Sequence, residues 1–272
     1  MKFIVTFVLV FISTLCFSAV DTIQVFSVSM QKQIKTVVIT PKHYKKSKER
    51  LPVVYLLHGY AGAYDNWVKL VPAMQDHATQ NNFIIVCPDG AWSSWYFDSP
   101  VDPKFRYETF TATELVQHID STYKTISNKN ARAITGLSMG GHGALFLAFR
   151  HKDVFSACGS MSGVMDVMYT SKMYDLMQRL GDTITNKKYY KDWSVVNLVE
   201  TVSAKDSLGI MIDCGVDDTF IKLNRAMHQK MLSLKIPHDY IERPGGHSWN
   251  YWGNAVKYQL LYFREWFKKK LK

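Results

Sequence analysis

Cysteine is scarce in this sequence, and its spacing is not that of a metal site. Four cysteines occur among 272 residues, and no two of them form a Cys-x-x-Cys pair. Zinc fingers and ribbons use such pairs, so neither class fits. Cys87, Cys158 and Cys214 each lie within or at the end of an apolar run. We therefore expect these three to be small buried residues of the core, and we expect no metal.

Internal repeats and low-complexity segments are also missing. No self-similarity at a fixed period is present, which excludes a solenoid or a propeller. Glycine and proline number 15 and 8, so the chain has no collagen-like or linker-like bias. Because 47% of the residues are hydrophobic and 21% are charged, the chain is not of a disordered type. We predict one folded domain over residues 20–272.

The positive charge does not indicate a nucleic-acid partner. The formal net charge is +10, a balance that occurs in proteins that bind nucleic acids. The basic residues of the chain cluster in Lys42–Arg50 and at the C-terminus, and neither cluster carries a nucleic-acid motif. Such runs usually serve solubility, and we expect a solvated loop and the last turn of a helix.

The first twenty residues point to export. Lys2 is followed by an uncharged, mainly apolar stretch that ends with the small residues Ser18 and Ala19. This pattern predicts a secretory signal peptide over residues 1–19, and hence a secreted or periplasmic protein with no stable membrane insertion after cleavage. Two alternatives remain open, namely a lipid anchor on Cys16 and an uncleaved membrane anchor.

Alternating β and α patterns predict an α/β protein. Short apolar runs suit a mostly parallel sheet that helices cover on both faces. The expected strands are Ile23–Val28, Ile34–Thr40, Val53–Leu57, Phe83–Cys87, Ala133–Thr135, Ile210–Cys214 and Ile236–Glu242. The expected helices are Asp65–Thr79, Ala112–Ile126, Met139–Arg150, Thr219–Leu234 and Val256–Leu271. The stretch from Val164 to Ser207 breaks the alternation, and we interpret it as a helical insertion over the C-terminal edge of the sheet.

The motif Gly136-Leu137-Ser138-Met139-Gly140 stands between a strand-like and a helical segment. This is the nucleophile-elbow pattern, in which a serine sits on a sharp turn flanked by glycines. A serine nucleophile needs a base and an acid that orients the base. Ser138 is therefore the candidate nucleophile.

Nine histidines compete for the role of base. Six fall in polar loops or on helical faces: His43, His77, His118, His151, His228 and His238. His142 follows Ser138 by one helical turn and should point away from it, and His58 fits a loop-shaping role. His247 follows the last predicted strand, where the base of an α/β-hydrolase belongs. For the acid, the Gly turn after Ile210–Cys214 offers Asp217 and Asp218, and spacing alone leaves both open.

Acyl transfer also needs donors for the developing oxyanion. We expect the backbone amides of Met139, just after the nucleophile, and of Tyr60, in the loop after Val53–Leu57. Aromatic residues flank the motif loops, and such rings suit sugars or a phenolic acyl group, although they could equally pack beneath the loops. The candidates for substrate contact are Trp92, Trp95, Tyr96, Trp249 and Trp252, with Tyr251 beside them.

The sequence resembles the bacterial putative-esterase family of α/β-hydrolases, which includes feruloyl esterases, acetyl xylan esterases, esterase D-type enzymes and mycolyltransferases. The motifs that carry the resemblance are LLHGYAG, CPDG, SWYFDSP, YETF, AITGLSMGGHGAL, IDCGVDD and GGHSWNYW, in family order. The resemblance implies an α/β-hydrolase fold and a triad of Ser138, Asp218 and His247. It favours Asp218 over Asp217, and it implies a structural role for Glu108 behind the floor of the active site.

Together these features predict a secreted serine esterase that needs no cofactor. The expected substrate is an acylated carbohydrate or a small ester, with acetyl or feruloyl groups of plant cell-wall polysaccharide favoured by export and by the resemblance. The alternatives are an acyltransferase of the mycolyltransferase type and a general short-chain esterase. A more remote alternative is a non-catalytic glycan-binding protein.

Overall fold

The computed structural model describes residues 19–272, so the predicted signal peptide and Cys16 lie outside the described residues except for Ala19. One eight-stranded sheet runs through the described chain, with strand order β1-β2-β4-β3-β5-β6-β7-β8. The strands are β1 (Val20–Ser27), β2 (Lys32–Ile39), β3 (Val53–Leu57), β4 (Ile84–Pro88), β5 (Arg132–Gly136), β6 (Ala157–Met161), β7 (Gly209–Gly215) and β8 (Asp239–Arg243).

The sheet is parallel apart from its first edge. β1 and β2 form an antiparallel hairpin, and β2 is antiparallel to β4. All pairs from β4 through β3, β5, β6 and β7 to β8 are parallel. The carboxyl ends of these six strands therefore meet at one edge of the sheet, which is where open α/β sheets bind ligands.

Ten α-helices connect and cover the strands in residues 19–272. They are α1 (Asn66–Leu70), α2 (Met74–Asn81), α3 (Tyr107–Thr109), α4 (Leu115–Thr122), α5 (Met139–Arg150), α6 (Leu176–Leu180), α7 (Lys187–Trp193), α8 (Val195–Leu198), α9 (Ile221–Ser233) and α10 (Trp249–Lys270). A π-helical turn (Phe110–Glu114) joins α3 to α4, and 3₁₀ turns occupy Lys129–Ala131, Val199–Thr201 and Ala204–Asp206. Among the helices of residues 19–272, none combines the length and the hydrophobicity of a membrane span.

Two hydrophobic cores lie on opposite faces of the sheet, because successive side chains of a strand point to opposite faces. In β3, Tyr55 faces a core that includes α4, α5 and α9, whereas Leu56 faces a core formed with α1, α2 and α10. Cys87, Cys158 and Cys214 are buried free thiols, as the sequence predicts. The α/β-hydrolase fold expected from the sequence is confirmed.

Several predicted boundaries are wrong for identifiable reasons. Strand β6 was not expected, since its sequence ACGSM has little of the β-branched character typical of strands. The helix predicted over Asp65–Thr79 is two helices, because Pro72 interrupts it. The last helix begins at Trp249 rather than at Val256. Helices α6 to α8 lie between β6 and β7, where the helical insertion was expected.

Candidate active site

Ser138 occupies a strained turn between β5 and α5. Its backbone has φ 52° and ψ −117°, a conformation that non-glycine residues rarely adopt. A Cβ atom on Gly140 would lie 2.4 Å from the carbonyl oxygen of His58, so only glycine fits there. The amide of Ser138 donates to the carbonyl of Met161 at 2.9 Å, which fixes the turn to the end of β6. The elbow thus presents the hydroxyl at the carboxyl edge of the sheet.

Three side chains from separate loops form a continuous hydrogen-bonded chain. The Oγ atom of Ser138 lies 2.9 Å from Nε2 of His247, and Nδ1 of His247 lies 2.9 Å and 3.1 Å from the two carboxylate oxygens of Asp218. An ionised carboxylate only accepts hydrogen bonds, so Nδ1 carries the proton and donates it to Asp218. Nε2 is then free to accept the hydroxyl proton of Ser138, which is the arrangement a serine nucleophile requires.

Asp218 is buried yet held in its charged form. Burial alone would raise its pKa, but the hydrogen bonds from His247 and from the amide of Phe220 at 2.8 Å, together with the nearby hydroxyl of Ser162, leave the pKa below its ordinary value. Asp217 is exposed, and its amide donates to the carbonyl of Gly245 at 3.0 Å. The structure therefore brings Asp218, and not Asp217, to the histidine.

The imidazole of His247 packs against two aromatic rings. The ring of Phe220 stands edge-on at 5.1 Å and that of Trp252 at 4.8 Å, measured between centroids. Gly215, at the end of β7, permits this arrangement, because a Cβ atom there would lie 2.1 Å from the carbonyl oxygen of Gly245. The loop that carries the acid and the loop that carries the base are thus in direct backbone contact.

Two backbone amides near the nucleophile are available as donors. Within residues 19–272, neither the amide of Tyr60 nor that of Met139 donates a hydrogen bond to another protein group. The loop that carries Tyr60 is shaped by His58, whose Nδ1 donates to the carbonyl of Gly59 at 2.8 Å and whose Nε2 accepts from the amide of Gly90 at 2.7 Å. This agrees with the loop-shaping role predicted for His58.

A pocket of about 260 Å³ opens beside Ser138 and His247. Trp249 and Trp252, two of the predicted substrate contacts, line it. Tyr174 of the insertion also lines it, and the sequence analysis did not find this residue. The hydroxyl of Tyr60 donates to Asp175 at 3.2 Å, which ties the insertion to the loop that carries the Tyr60 amide. The insertion shows no periodic pattern or motif, so no signal in the sequence singled out Tyr174.

The expectation that Trp95 and Tyr96 contact a substrate is corrected. Both side chains are almost completely buried. The indole of Trp95 donates to the carbonyl of Tyr174 at 3.0 Å, and the hydroxyl of Tyr96 donates to the carbonyl of His58 at 3.1 Å. These rings are therefore part of the packed interior, and their polar atoms bond to backbone carbonyls of neighbouring loops. Trp92, in contrast, is 60% exposed and contacts the ring of Tyr60 edge-on. Tyr251 is buried and donates to Asp213.

Glu108 and His142 have structural positions. Glu108 accepts hydrogen bonds from Arg150 at 2.7 Å and from His151 at 2.9 Å, at the end of α5 farthest from Ser138. His142 is buried, and its Nε2 donates to the carbonyl of Trp193 at 2.9 Å. Its burial lowers its pKa to about 4, so the ring is neutral at pH 7. The six histidines assigned to loops and helix faces all lie outside the fully buried core.

Comparison with known proteins finds esterases, both by sequence and by structure. A sequence model of the family described as "Putative esterase" matches residues 27–263. An esterase of Mycobacterium tuberculosis is 28% identical over 235 residues, which cover 77% of this chain and 51% of that protein. An acetyl esterase of Caldicellulosiruptor saccharolyticus is 26% identical over 259 residues, which cover 88% of this chain and 95% of that protein.

The chain thus spans about half the length of the mycobacterial relative. Among solved structures, a ferulic acid esterase superposes with a TM-score of 0.79 at 29% identity, covering 91% of this chain and 98% of that one.

Proposed function

This chain belongs to the putative esterase family, and from that premise we propose that it is a secreted serine esterase that removes acetyl or feruloyl groups from plant cell-wall polysaccharide. The observation that carries the proposal is the chain of contacts from Asp218 through His247 to Ser138, beside two unpaired backbone amides. A hydroxyl, a base, an orienting acid and oxyanion donors are the complete set of groups that acyl transfer from an ester needs.

The first half of the reaction forms an acyl-enzyme. Nε2 of His247 takes the hydroxyl proton of Ser138 while Oγ bonds to the ester carbonyl carbon. The carbonyl oxygen becomes an oxyanion that the amides of Tyr60 and Met139 hold. Asp218 stabilises the imidazolium and keeps it oriented. The C–O bond to the alcohol then breaks, and the alcohol leaves with the proton from Nε2.

The second half consumes water. His247 takes a proton from a water molecule, whose oxygen attacks the acyl carbon, and the same two amides hold the second oxyanion. Collapse returns the proton to Oγ of Ser138 and releases the carboxylic acid. A sugar hydroxyl in place of the water would give acyl transfer instead, which is the alternative function named above.

The choice of substrate is supported by the character of the pocket and by the relatives. One relative is an acetyl esterase and one structural neighbour is a ferulic acid esterase. Trp249 and the buried Trp252 line the pocket, and the exposed Trp92 lies nearby against Tyr60; aromatic rings of this kind suit a sugar ring or a phenolic group. Secretion is proposed from the sequence of residues 1–19.

The test is a release assay with purified residues 20–272 and the variant Ser138→Ala. Acetylated xylan and methyl ferulate are supplied separately, and acetate and ferulate are measured. Release that disappears in the variant supports the proposal and identifies the acyl group. Activity that survives in the variant contradicts it.

A further arm separates hydrolysis from transfer and from binding. Excess sugar alcohol is added, and the fraction of acyl product on the sugar is measured. If most of the acyl groups are transferred to the sugar, the protein is an acyltransferase and not a hydrolase. Glycan binding without ester turnover in the wild-type protein would indicate the non-catalytic alternative. N-terminal sequencing of the exported protein tests cleavage after residue 19.

A further inference from the structure

Ser162 is a buried residue in a strained backbone conformation that the proposed mechanism does not use. It follows β6 directly, has φ 54°, and its side chain is fully buried. A non-glycine residue in this region is strained, and it persists only where the surrounding structure fixes it. The contacts of Ser162 show what fixes it.

The backbone at this point joins the elements that carry the nucleophile and the acid. The carbonyl of Met161 accepts the amide of Ser138 at 2.9 Å. The amide of Ser162 donates to the carbonyl of Asp213 at 2.8 Å, within β7, the strand that leads to Asp218. The left-handed turn at Ser162 is therefore part of the frame between the two loops.

The side chain of Ser162 reaches the other members of the site. Its Oγ accepts a hydrogen bond from Nε1 of Trp252 at 3.1 Å, and the ring of Trp252 packs edge-on against His247. Since a hydroxyl has one hydrogen to donate, and Oγ already accepts from the indole, that hydrogen is available to the carboxylate of Asp218. Hydrogen bonding by Ser162 contributes to the low pKa of Asp218.

The thiol of Cys214 also lies near this hydroxyl. Burial raises the pKa of Cys214, so it remains an uncharged thiol. A charged carboxylate is a much stronger acceptor than a thiol. Of these two groups, the carboxylate of Asp218 is therefore the stronger acceptor for the hydroxyl hydrogen of Ser162.

We propose that Ser162 is a positioning residue of the catalytic triad, whose single hydroxyl holds both Asp218 and the indole that packs against His247. The inference rests on the proposed function and deepens it. The residue acts through Asp218 and Trp252, and it does not touch the reacting atoms.

The experiment compares Ser162→Ala and Ser162→Gly with a matched control. Both variants lose the hydroxyl, but glycine tolerates φ 54° and relieves the strain. The control is Ser156→Ala, because Ser156 is also buried and its Oγ also accepts an indole hydrogen bond, from Trp266 at 3.2 Å, at the opposite end of β6. Esterase kinetics on p-nitrophenyl acetate from pH 4 to 9 and thermal unfolding are measured for each protein.

Both Ser162 variants are expected to lose about tenfold in kcat with KM nearly unchanged, as for the loss of a hydrogen bond to a charged group. The acid limb of the kcat/KM profile moves to higher pH, because Asp218 loses a donor that favours its charged form. Ser162→Gly unfolds at a higher temperature than Ser162→Ala but is equally slow. Ser156→Ala keeps the kcat and the pH profile of the wild type.

Two outcomes overturn the inference. If Ser162→Gly has the kcat and acid limb of the wild type, the hydroxyl has no positioning role. If Ser156→Ala lowers kcat as much as Ser162→Ala, the effect reflects lost packing. The failure of the proposed function is distinct from both, since the wild-type protein would then hydrolyse no ester or Ser138→Ala would remain active.

Discussion

The Nε2 atom of His247 lies 2.9 Å from the Oγ atom of Ser138, although 109 positions separate the two residues in the chain. The parallel order β5-β6-β7-β8 creates this contact, because it places the loops after these strands side by side at one edge. Asp218, from the loop after β7, completes the arrangement through its contact with Nδ1 of the imidazole.

Replacing the nucleophile should abolish activity while leaving the fold intact. We expect Ser138→Ala to lower kcat by about 10⁴-fold or more, since triad members act as a unit. Ester hydrolysis and labelling by a fluorophosphonate probe are the measurements, and thermal unfolding is the control. A variant that is still labelled would place the nucleophile elsewhere.

The two adjacent aspartates should differ sharply. Asp218→Asn is expected to lower kcat by about 10⁴-fold, because an amide favours the wrong tautomer of the histidine. Asp217→Asn should leave kcat within about twofold, since Asp217 is exposed and contacts the site through its backbone. Steady-state kinetics of both variants decide the matter. Equal losses of kcat in the two variants would mean that Asp218 is not the acid that orients His247.

Two helical glycines should respond in opposite directions to alanine. At Gly140 the new Cβ atom would lie 2.4 Å from the backbone oxygen of His58, so we expect a loss of at least about 2 kcal/mol in the free energy of unfolding. At Gly253 the nearest atom would be Cγ2 of Val71 at 3.5 Å, an ordinary contact. Gly253→Ala should therefore stabilise the protein by about 0.5–1 kcal/mol through helix propensity. Urea unfolding measures both.

Substitutions of Trp92 and of Trp95 should affect different properties, namely substrate binding for Trp92 and stability for Trp95. Trp95→Ala is expected to cost about 3–5 kcal/mol of stability, because it empties a buried site. Trp92→Ala should change stability by less than about 0.5 kcal/mol, because its ring is largely exposed. If Trp92 contacts the polysaccharide, its loss raises KM for acetylated xylan and leaves KM for a small ester unchanged. If Trp92→Ala has the wild-type KM for both substrates, Trp92 does not contact the polysaccharide.

Acid should destabilise the fold partly through His142. Its folded pKa is about 4, below the ordinary value of 6.5, so the unfolded chain binds the proton more readily. The contribution of the neutral His142 ring to the free energy of unfolding is fully present above pH 6.5. It is lost as the pH falls towards 4, by up to about 3 kcal/mol. The variant His142→Gln, whose amide still donates to the carbonyl of Trp193, should show a weaker decline over this range in urea unfolding. If the stability of His142→Gln declined with pH as steeply as that of the wild type, protonation of His142 would not contribute to acid unfolding.

Motifs with strict local requirements were predictable from the sequence. The Gly-x-Ser-x-Gly turn needs a strained serine and a glycine that allows close backbone approach, and both conditions are met at Ser138 and Gly140. His247 followed from its place after the last strand. The low β-propensity of ACGSM hid β6, and with it Ser162, because a central strand is stabilised by neighbours that lie far away in sequence.

The aromatic residues show where local reasoning stops. Trp92 and Trp95 belong to one loop and are three positions apart, yet one is exposed and the other is buried beneath the insertion. Both are tryptophans of the same loop, so residue type does not distinguish them, and the tertiary packing does. Tyr174 likewise enters the pocket because the insertion folds over the sheet edge and is fastened to Tyr60 through Asp175.

The sequence by itself determined the alternation of strands and helices, the turn at Ser138 and the place of His247 after the last strand, because each depends on residues close together in the chain. From the residues alone it left Asp217 and Asp218 equivalent. The tertiary structure separated them: the backbone contact between the loops after β7 and β8 directs the carboxylate of Asp218 at His247 and leaves that of Asp217 in solvent. Side-chain direction in a turn depends on what packs against it, and that information lies in residues far along the chain.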